Sequence, residues 1–107
     1  MTFDEYQKKT LRTAGRRPNE LFHRVLGLVG EVGEIAEKFK KWVRDDMSDE
    51  AKLDKADLKK ELGDVLWYVA TLADYFDLSL DEIAKHNIDK LADRRNRGQL
   101  AGSGDNR

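Results

Sequence analysis

Two long stretches of the sequence repeat apolar residues every three or four positions, and this period limits the fold more than any other feature. The first stretch carries Leu21, Val25, Leu28, Val32, Ile35, Ala36, Phe39 and Val43, and the second carries Leu58, Leu62, Val65, Leu66, Val69, Leu72, Ala73 and Phe76. Such a period is typical of an amphipathic α-helix. The composition also favours helices over strands, because the β-branched residues (six Val, three Ile and four Thr) are outnumbered by the helix formers (13 Leu and nine Ala). We therefore expect an all-α fold, a four-helix bundle with two long central helices.

Capping patterns predict a shorter helix on either side of the long pair. The two capping-box pairs are Thr2 with Glu5 and Ser79 with Glu82. The first pair predicts a helix from Phe3 to about Thr13, and the second predicts a helix that stops before Gly98. The first long helix should begin near Asn19 and end between Asp45 and Met47.

Length and composition limit the number of domains and the classes of partner. The 107 residues are 39% hydrophobic, which is enough for one small core, so we expect a single domain over 1–97 and a Gly-rich tail over 98–107. A formal net charge of -1 argues against stable nucleic-acid binding. The absence of Cys excludes disulfides and thiolate metal sites. Since no apolar run is long enough to span a bilayer and no signal peptide is evident, we expect no membrane partner and a cytoplasmic location.

The two long helices share a short acidic pattern. Glu31-Val-Gly-Glu34-Ile and Glu61-Leu-Gly-Asp64-Val lie 30 residues apart, and both read acid, apolar, Gly, acid, apolar. The acids also occupy the same positions relative to the apolar stripe of each helix, at about 100° and 160° from its middle. Residues three apart on a helix are neighbours. Antiparallel packing of the two helices would therefore bring both acid pairs face to face.

Four crowded carboxylates need a compensating positive charge, and a hard divalent cation supplies it. Mg²⁺ or Mn²⁺ prefers oxygen ligands in octahedral geometry. Zinc is disfavoured because the two histidines, His23 and His86, are not spaced with the acids as a ligand set. The residues alone leave a second interpretation open, since either acid pair can simply be a solvated helix face.

The neighbours of the acids argue against a purely solvated face. Trp67, Tyr68, Thr71 and Tyr75 give the third helix a second, aromatic side near Asp64. Gly27, Gly30 and Gly33 interrupt the second helix, although each costs about 1 kcal/mol against Ala in a helix interior. We interpret these glycines as positions where another helix or a ligand approaches closely. The aromatic residues are candidates for stacking on a base, and equally for the core or a subunit interface.

Basic and amide side chains near the acids suggest a phosphate-containing substrate. Lys38 lies one turn beyond Glu34 on the second helix, and Asn87, Lys90 and Arg94 form a stripe on the fourth helix. Cations there would neutralise phosphate oxygens. The alternatives are that Lys38 pairs with Glu34 and that the stripe faces solvent.

With these motifs in place, the chain resembles the MazG-like, all-α nucleoside triphosphate pyrophosphohydrolases. The resemblance rests on GEVGEIAEKFKK followed by KKELGDVLWYVATLAD, which form an ExxE motif, a 26-residue spacer over 35–60, and an ExxD motif. It implies a four-helix fold that assembles as a homodimer or homotetramer, Mg²⁺ dependence, and hydrolysis of a nucleoside triphosphate to the monophosphate and pyrophosphate.

Carried over by position, the resemblance makes the four acids the metal ligands and catalytic residues: Glu31, Glu34, Glu61 and Asp64. It places Asn87 and Lys90 on the phosphates and Tyr68 on the substrate. Lys38 and Arg94 as substrate contacts rest on the helical-wheel argument. The tail residues 102–107 match members of the family without a role that transfers.

The mechanism expected from this set needs no protein nucleophile. Bound metal would activate a water for in-line attack on the α-phosphate, with Glu34 or Glu31 as the candidate proton acceptor. Two other functions stay open at this point. One is a non-catalytic helical dimerisation or regulatory module, and the other is a related phosphoanhydride hydrolase such as phosphoribosyl-ATP pyrophosphohydrolase.

Overall fold

The computed structural model describes residues 1–15 and 17–107. Within these residues the chain forms four α-helices, namely α1 (Phe3–Thr10), α2 (Glu20–Asp46), α3 (Lys55–Tyr75) and α4 (Leu80–Asn96). A 3-10 turn, Glu50–Lys52, lies in the connection between α2 and α3. No strand occurs in the described part of the chain. The all-α prediction is confirmed.

The short helix α1 ends three residues before the expected position. Leu11, Arg12 and Thr13 donate their backbone N–H groups to carbonyls three residues earlier, at 3.1 to 3.3 Å, so the chain tightens into turns. The hydroxyls of Thr10 and Thr13 also bond to carbonyls three residues back, at 2.6 and 3.1 Å. Threonine hydroxyls compete in this way with helical hydrogen bonding. The helix therefore stops before Gly15 and Pro18 are reached.

The long helices α2 and α3 pack against each other in antiparallel orientation. Arg24, near the start of α2, donates to the carbonyl of Thr71 near the end of α3, at 2.5 Å. Further along α2, Lys38 donates to Glu61 near the start of α3, at 2.9 Å. The face of α2 that meets α3 is thus the one that carries the acidic motif. This is the packing that the sequence pattern predicts.

The helix α4 packs against α1, and a buried glutamine joins them to α3. The Gln7 amide donates to the carbonyls of Ala70 and Leu78, at 3.1 and 2.9 Å, and its oxygen accepts from the N–H of Leu80 at 3.1 Å. Several of the best-buried residues of the described chain lie around this junction, namely Thr10, Ala70, Thr71, Ala73 and Leu80. The predicted Ser79 cap of α4 is present, because Ser79 Oγ accepts from the N–H of Glu82 at 3.2 Å.

None of the described helices has the length and apolar character needed to cross a membrane.

Candidate metal centre

Antiparallel packing of α2 and α3 brings three of the four predicted acids together. Glu31, Glu34 and Glu61 each offer one carboxylate oxygen, and these three atoms all lie within 4.8 Å of one another. Two of the acids come from α2 and one from α3. Neither helix makes this group alone, so it depends on the register between them.

The three acids differ in burial, and their environment is unfavourable to negative charge. Glu61 is buried, Glu31 is half-buried and Glu34 is exposed. One oxygen of Glu31 and one of Glu61, Oε2 in both, are buried without a hydrogen-bond partner. Burial raises the pKa of Glu31 above its ordinary value of 4.5, and the charges of the neighbouring acids raise it further. Buried carboxylate oxygens without donors are stabilised by a cation.

The fourth predicted acid, Asp64, lies beside this group on an adjoining cavity. Its side chain is exposed, and with Glu31 it lines a cavity of about 320 Å³. It is close enough to Glu31 for its charge to raise the pKa of that carboxyl. Tyr6 of α1 is also near, since burial and then the Asp64 charge raise the pKa of its hydroxyl. Asp64 thus faces the space where a ligand of the three glutamates would extend.

Lys38 lies at the edge of the acidic group, bound to two acids of α3. Its ammonium donates to Glu61 Oε1 at 2.9 Å and to Asp57 Oδ2. Both bonds raise the pKa of Lys38 above its ordinary value of 10.5, with Asp57 as the larger cause. The sequence left open an ion pair with Glu34, one turn earlier on α2. The structure pairs Lys38 with α3 instead, so this cation links the two helices at the acidic group.

The donor set fits a hard divalent cation. All of its ligand atoms are carboxylate oxygens, two buried oxygens lack other partners, and neither Cys nor His belongs to the group. Mg²⁺ and Mn²⁺ prefer such ligands, whereas zinc sites usually include nitrogen or sulfur. Glu31, Glu34 and Glu61 are the residues that would hold the ion.

Aromatic side chains form the other wall of the cavity next to Glu31 and Asp64. Its remaining lining residues are Thr13, Trp67 and Tyr68. The indole of Trp67 donates to Thr13 Oγ1 at 2.9 Å and meets the Tyr68 ring edge to face, with centroids 5.0 Å apart. Flat apolar walls beside an acidic group are suited to an aromatic ring that carries a phosphate chain.

A second cavity, of about 220 Å³, lies on the far side of Lys38. Phe39 and Trp42 of α2 and Leu53 and Leu58 around the start of α3 supply its apolar lining, and Lys38 and Asp57 lie at its border with the acids. The indole of Trp42 donates to the carbonyl of Asp49 at 2.7 Å, which fixes the connection between the long helices. The acidic group therefore lies between two cavities.

The predicted stripe on α4 contacts the C-terminal tail. Lys90 Nζ lies 3.3 Å from Asp105 Oδ1, and the buried Arg94 lies 3.5 Å from the same oxygen and donates to the Asp105 carbonyl. These cations hold the pKa of Asp105 below its ordinary value of 3.8, through the bond and charge of Lys90 first. Asn87 is exposed. Because α4 packs on α1, while the acids lie between α2 and α3, the contact of these three residues with substrate stays a prediction.

Sequence reasoning missed Asp57 and Thr13 of the site, and only Asp57 had a signal in the sequence. Asp57 precedes Glu61 by four residues and so shares its face of α3. The close approach predicted at the glycines of α2 is confirmed at Gly27, because Tyr68 lies directly against it. Thr13 was assigned to the end of α1, whereas the early end of that helix places it in the cavity wall. A contact of this last kind depends on a loop, which periodicity does not predict.

Comparison with known families supplies an independent observation. The model of the MazG nucleotide pyrophosphohydrolase domain matches residues 23–98, which contain the acidic group, Lys38 and the whole of α4. The chain belongs to the MazG nucleotide pyrophosphohydrolase domain family. The resemblance inferred from the ExxE and ExxD motifs is thus confirmed, and the acidic group lies within the matched residues.

Two curated relatives of this MazG domain have names that specify no activity. The chain is 50% identical to the Gene 37 protein of Mycobacterium phage L5 over 82 residues, which cover 77% of this chain and 72% of the phage protein. It is 36% identical to the protein YvdC of Bacillus subtilis (strain 168), named as uncharacterized, over 78 residues that cover 68% and 74% of the two chains. No solved structure matches the chain at a significant level.

Proposed function

We propose that this protein is a Mg²⁺-dependent nucleoside triphosphate pyrophosphohydrolase that converts ribo- or deoxyribonucleoside triphosphates to the monophosphate and pyrophosphate. The observation that carries the proposal is the meeting of Glu31, Glu34 and Glu61 with ligand oxygens within 4.8 Å, two of these acids each having a buried, unpartnered oxygen. The aromatic cavity directly beside them offers space for the nucleoside. Together these features suit removal of unwanted nucleotides from the cellular pool.

Each group around the cavity has a part in the proposed reaction. Glu31, Glu34 and Glu61, together with Asp64 from the adjoining cavity, would hold Mg²⁺, or Mn²⁺ in its place. The ion supplies charge neutralisation for the phosphates and a lower pKa for a bound water. Glu31 or Glu34 accepts the proton of the attacking water.

The remaining predicted residues bind the substrate. Tyr68 borders the nucleoside, and Lys38 offsets negative charge on the phosphate chain. Asn87, Lys90 and Arg94 contact the phosphates, the last two once Asp105 of the tail has released them. Cleavage of the bond to the pyrophosphate leaving group is favoured because these cations neutralise the negative charge that develops on it.

We also propose that the active protein is a homodimer or homotetramer. Many large apolar side chains of the described residues are exposed in one chain, and on α2 they include Phe22 at 65%, Leu26 at 68% and Val29 at 64%. A second copy of the chain that covers this face removes the apolar area from water.

A pyrophosphate-release assay with a panel of nucleotides tests the function. Purified protein, Mg²⁺ and a coupled pyrophosphatase are combined with ribo-, deoxyribo- and modified triphosphates, and with phosphoribosyl-ATP. We expect release from one or more triphosphates, and Glu61→Gln should lower it by about a hundredfold or more because the buried ligand is lost. Glu37→Gln, at an exposed acid of α2 outside the group, should retain activity within about twofold.

Two outcomes would contradict the proposal. Turnover of phosphoribosyl-ATP alone would identify a different phosphoanhydride hydrolase. No turnover, together with no Mg²⁺-dependent thermal shift in the presence of nucleotides, would favour the non-catalytic dimerisation module.

A further inference from the structure

The ring of Tyr68 lies directly against the backbone of α2 at Gly27. A Cβ atom built on Gly27 would be 2.2 Å from Cε1, 2.4 Å from Cζ and 2.8 Å from Cδ1 of that ring. Ordinary van der Waals contact begins near 3.4 Å. Any side chain at position 27 would therefore force the ring to retreat by more than about 1 Å.

This close approach is specific to one of the three glycines of α2. A Cβ at Gly30 or Gly33 meets no atom within 4 Å among the described residues. A glycine in a helix interior costs about 1 kcal/mol relative to Ala. At Gly27 that cost is linked to a tertiary contact, because the aromatic ring takes the volume that a Cβ would occupy.

The Tyr68 ring also contacts two other aromatic rings. The His23 ring, one turn before Gly27 on α2, meets it edge to face with centroids 6.2 Å apart. The Trp67 ring meets it edge to face with centroids 5.0 Å apart, and the Trp67 indole is fixed by its hydrogen bond to Thr13. The cavity shared with Glu31 lies beside the same ring. A ring pushed away from α2 at Gly27 is also a wall of this cavity, so we expect its displacement to take volume from the cavity.

We propose that Gly27 is a positioning residue that fixes the Tyr68 ring against α2 and thereby sets the largest nucleobase that fits beside the acidic group. The inference rests on the proposed function and adds a determinant of substrate size to it. Gly27 touches no reacting atom. It acts through Tyr68, whose ring lines the cavity and would be displaced by a side chain at position 27.

Binding of non-hydrolysable nucleotides to matched glycine variants tests the proposal. Wild type, Gly27→Ala and Gly30→Ala are titrated with the α,β-imido analogues of dATP and dUTP in the presence of Mg²⁺. Gly27→Ala should weaken binding of the purine analogue about tenfold and of the pyrimidine analogue clearly less, because the displaced ring narrows the cavity. Gly30→Ala, one turn along the same helix, should bind both analogues within about twofold of wild type.

Removal of the Tyr68 ring shows whether Gly27→Ala acts by displacing that ring or by destabilising the whole fold. Tyr68→Ala widens the cavity, so it should raise the purine-to-pyrimidine affinity ratio. In that background Gly27→Ala should have no further effect, because the atoms that a Cβ would strike are gone. If Gly27→Ala alone fails to fold, the double variant should fold and bind like Tyr68→Ala. A double variant that is still unfolded, or still loses purine affinity relative to Tyr68→Ala, would overturn the proposal.

A kinetic comparison distinguishes failure of this inference from failure of the proposed function. With a substrate found in the nucleotide panel, Gly27→Ala should raise KM and leave kcat nearly unchanged, since a binding wall and not the chemistry is altered. If Gly27→Ala and Gly30→Ala both turn over the substrate with equal KM values, this inference is overturned and the proposed function is not. The expected pattern of analogue binding without any pyrophosphate release would overturn the proposed function and leave this inference standing.

Discussion

Glu31 combines a half-buried carboxylate with an oxygen that has no hydrogen-bond partner. Its raised pKa reflects burial first and then the charges of Glu34, Asp64 and Glu61. The negative charge of Glu31 therefore weakens the metal-free fold at neutral pH. Groups that are unfavourable for stability and favourable for ligand binding are typical of functional sites.

The raised pKa of Glu31 should make the free energy of unfolding depend on pH. An acid whose pKa is raised on folding stabilises the folded state fully below its unfolded pKa, and that stability is lost as pH rises through the raised folded pKa. Without metal, the free energy of unfolding of the wild type should therefore fall as pH rises above about 4.5. Urea denaturation across this range should show a smaller fall for Glu31→Gln.

Two controls belong to this measurement. Added Mg²⁺ should restore stability to the wild type above that pH range, because the cation offsets the charge that burial penalises. Glu37→Gln should keep the pH slope of the wild type. Equal slopes in the wild type and Glu31→Gln would show that Glu31 does not experience this environment.

At the scale of elements, α1 is short but joins two other helices through one side chain. The amide of Gln7 bonds to Ala70 in α3, to Leu78 between the helices and to the first residue of α4. Asp4 adds to the same junction, because its carboxylate accepts from Ser79 Oγ at 2.8 Å and from the N–H of Asp81 at 3.0 Å. These bonds lower the pKa of Asp4, with the Asp81 N–H as the largest cause. The position of α4 thus depends on two polar residues of α1.

Loss of the Gln7 amide should weaken this junction strongly. Gln7→Ala leaves two carbonyls and one N–H without their protein partner in a buried place, so we expect the free energy of unfolding to fall by about 3 kcal/mol. Lys8→Ala, at the next and exposed position of α1, should change it by less than about 0.5 kcal/mol. Denaturant titration of both variants checks the difference. A loss at Gln7 no larger than at Lys8 would contradict the junction described above.

At the scale of the whole molecule, a single chain is too open for its length. Its radius of gyration is 17.0 Å, whereas a compact chain of this length has about 13 Å. The apolar residues classed as buried in the described part of the chain are Ala70, Ala73 and Leu80. Large apolar residues such as Val32 and Val43 on α2 are at least half exposed. This distribution supports assembly with a second copy of the chain.

A charge placed on the exposed apolar face of α2 should disrupt that assembly. Light scattering coupled to size exclusion should give two or four times the mass of one chain for the wild type. Leu26→Asp should lower the mass toward that of one chain and reduce thermal stability, because the assembled state would bury an unpaired charge. Lys55→Asp, an exposed position at the start of α3, should leave the mass unchanged. A monomeric wild type would reject the proposed oligomer.

The sequence by itself predicted the helical class, the bounds of α2, the caps of α1 and α4, and the antiparallel pairing of the acidic motifs. These features are encoded locally, because helical period and capping depend on residues three or four apart. The sequence pattern also predicted that Glu31 and Glu34 of α2 lie opposite Glu61 of α3, as the structure has them. Asp64 was grouped with them by motif, and the structure places it on the adjoining cavity.

Only the tertiary structure decided which partner each group meets. Lys38 binds Asp57 and Glu61 of α3 although Glu34 lies one turn away on its own helix, and of three glycines only Gly27 lies against a ring. Such choices depend on the rotation and register of one helix against another to within an ångström or two. Side chains far apart in sequence set that register, and no local period reports it.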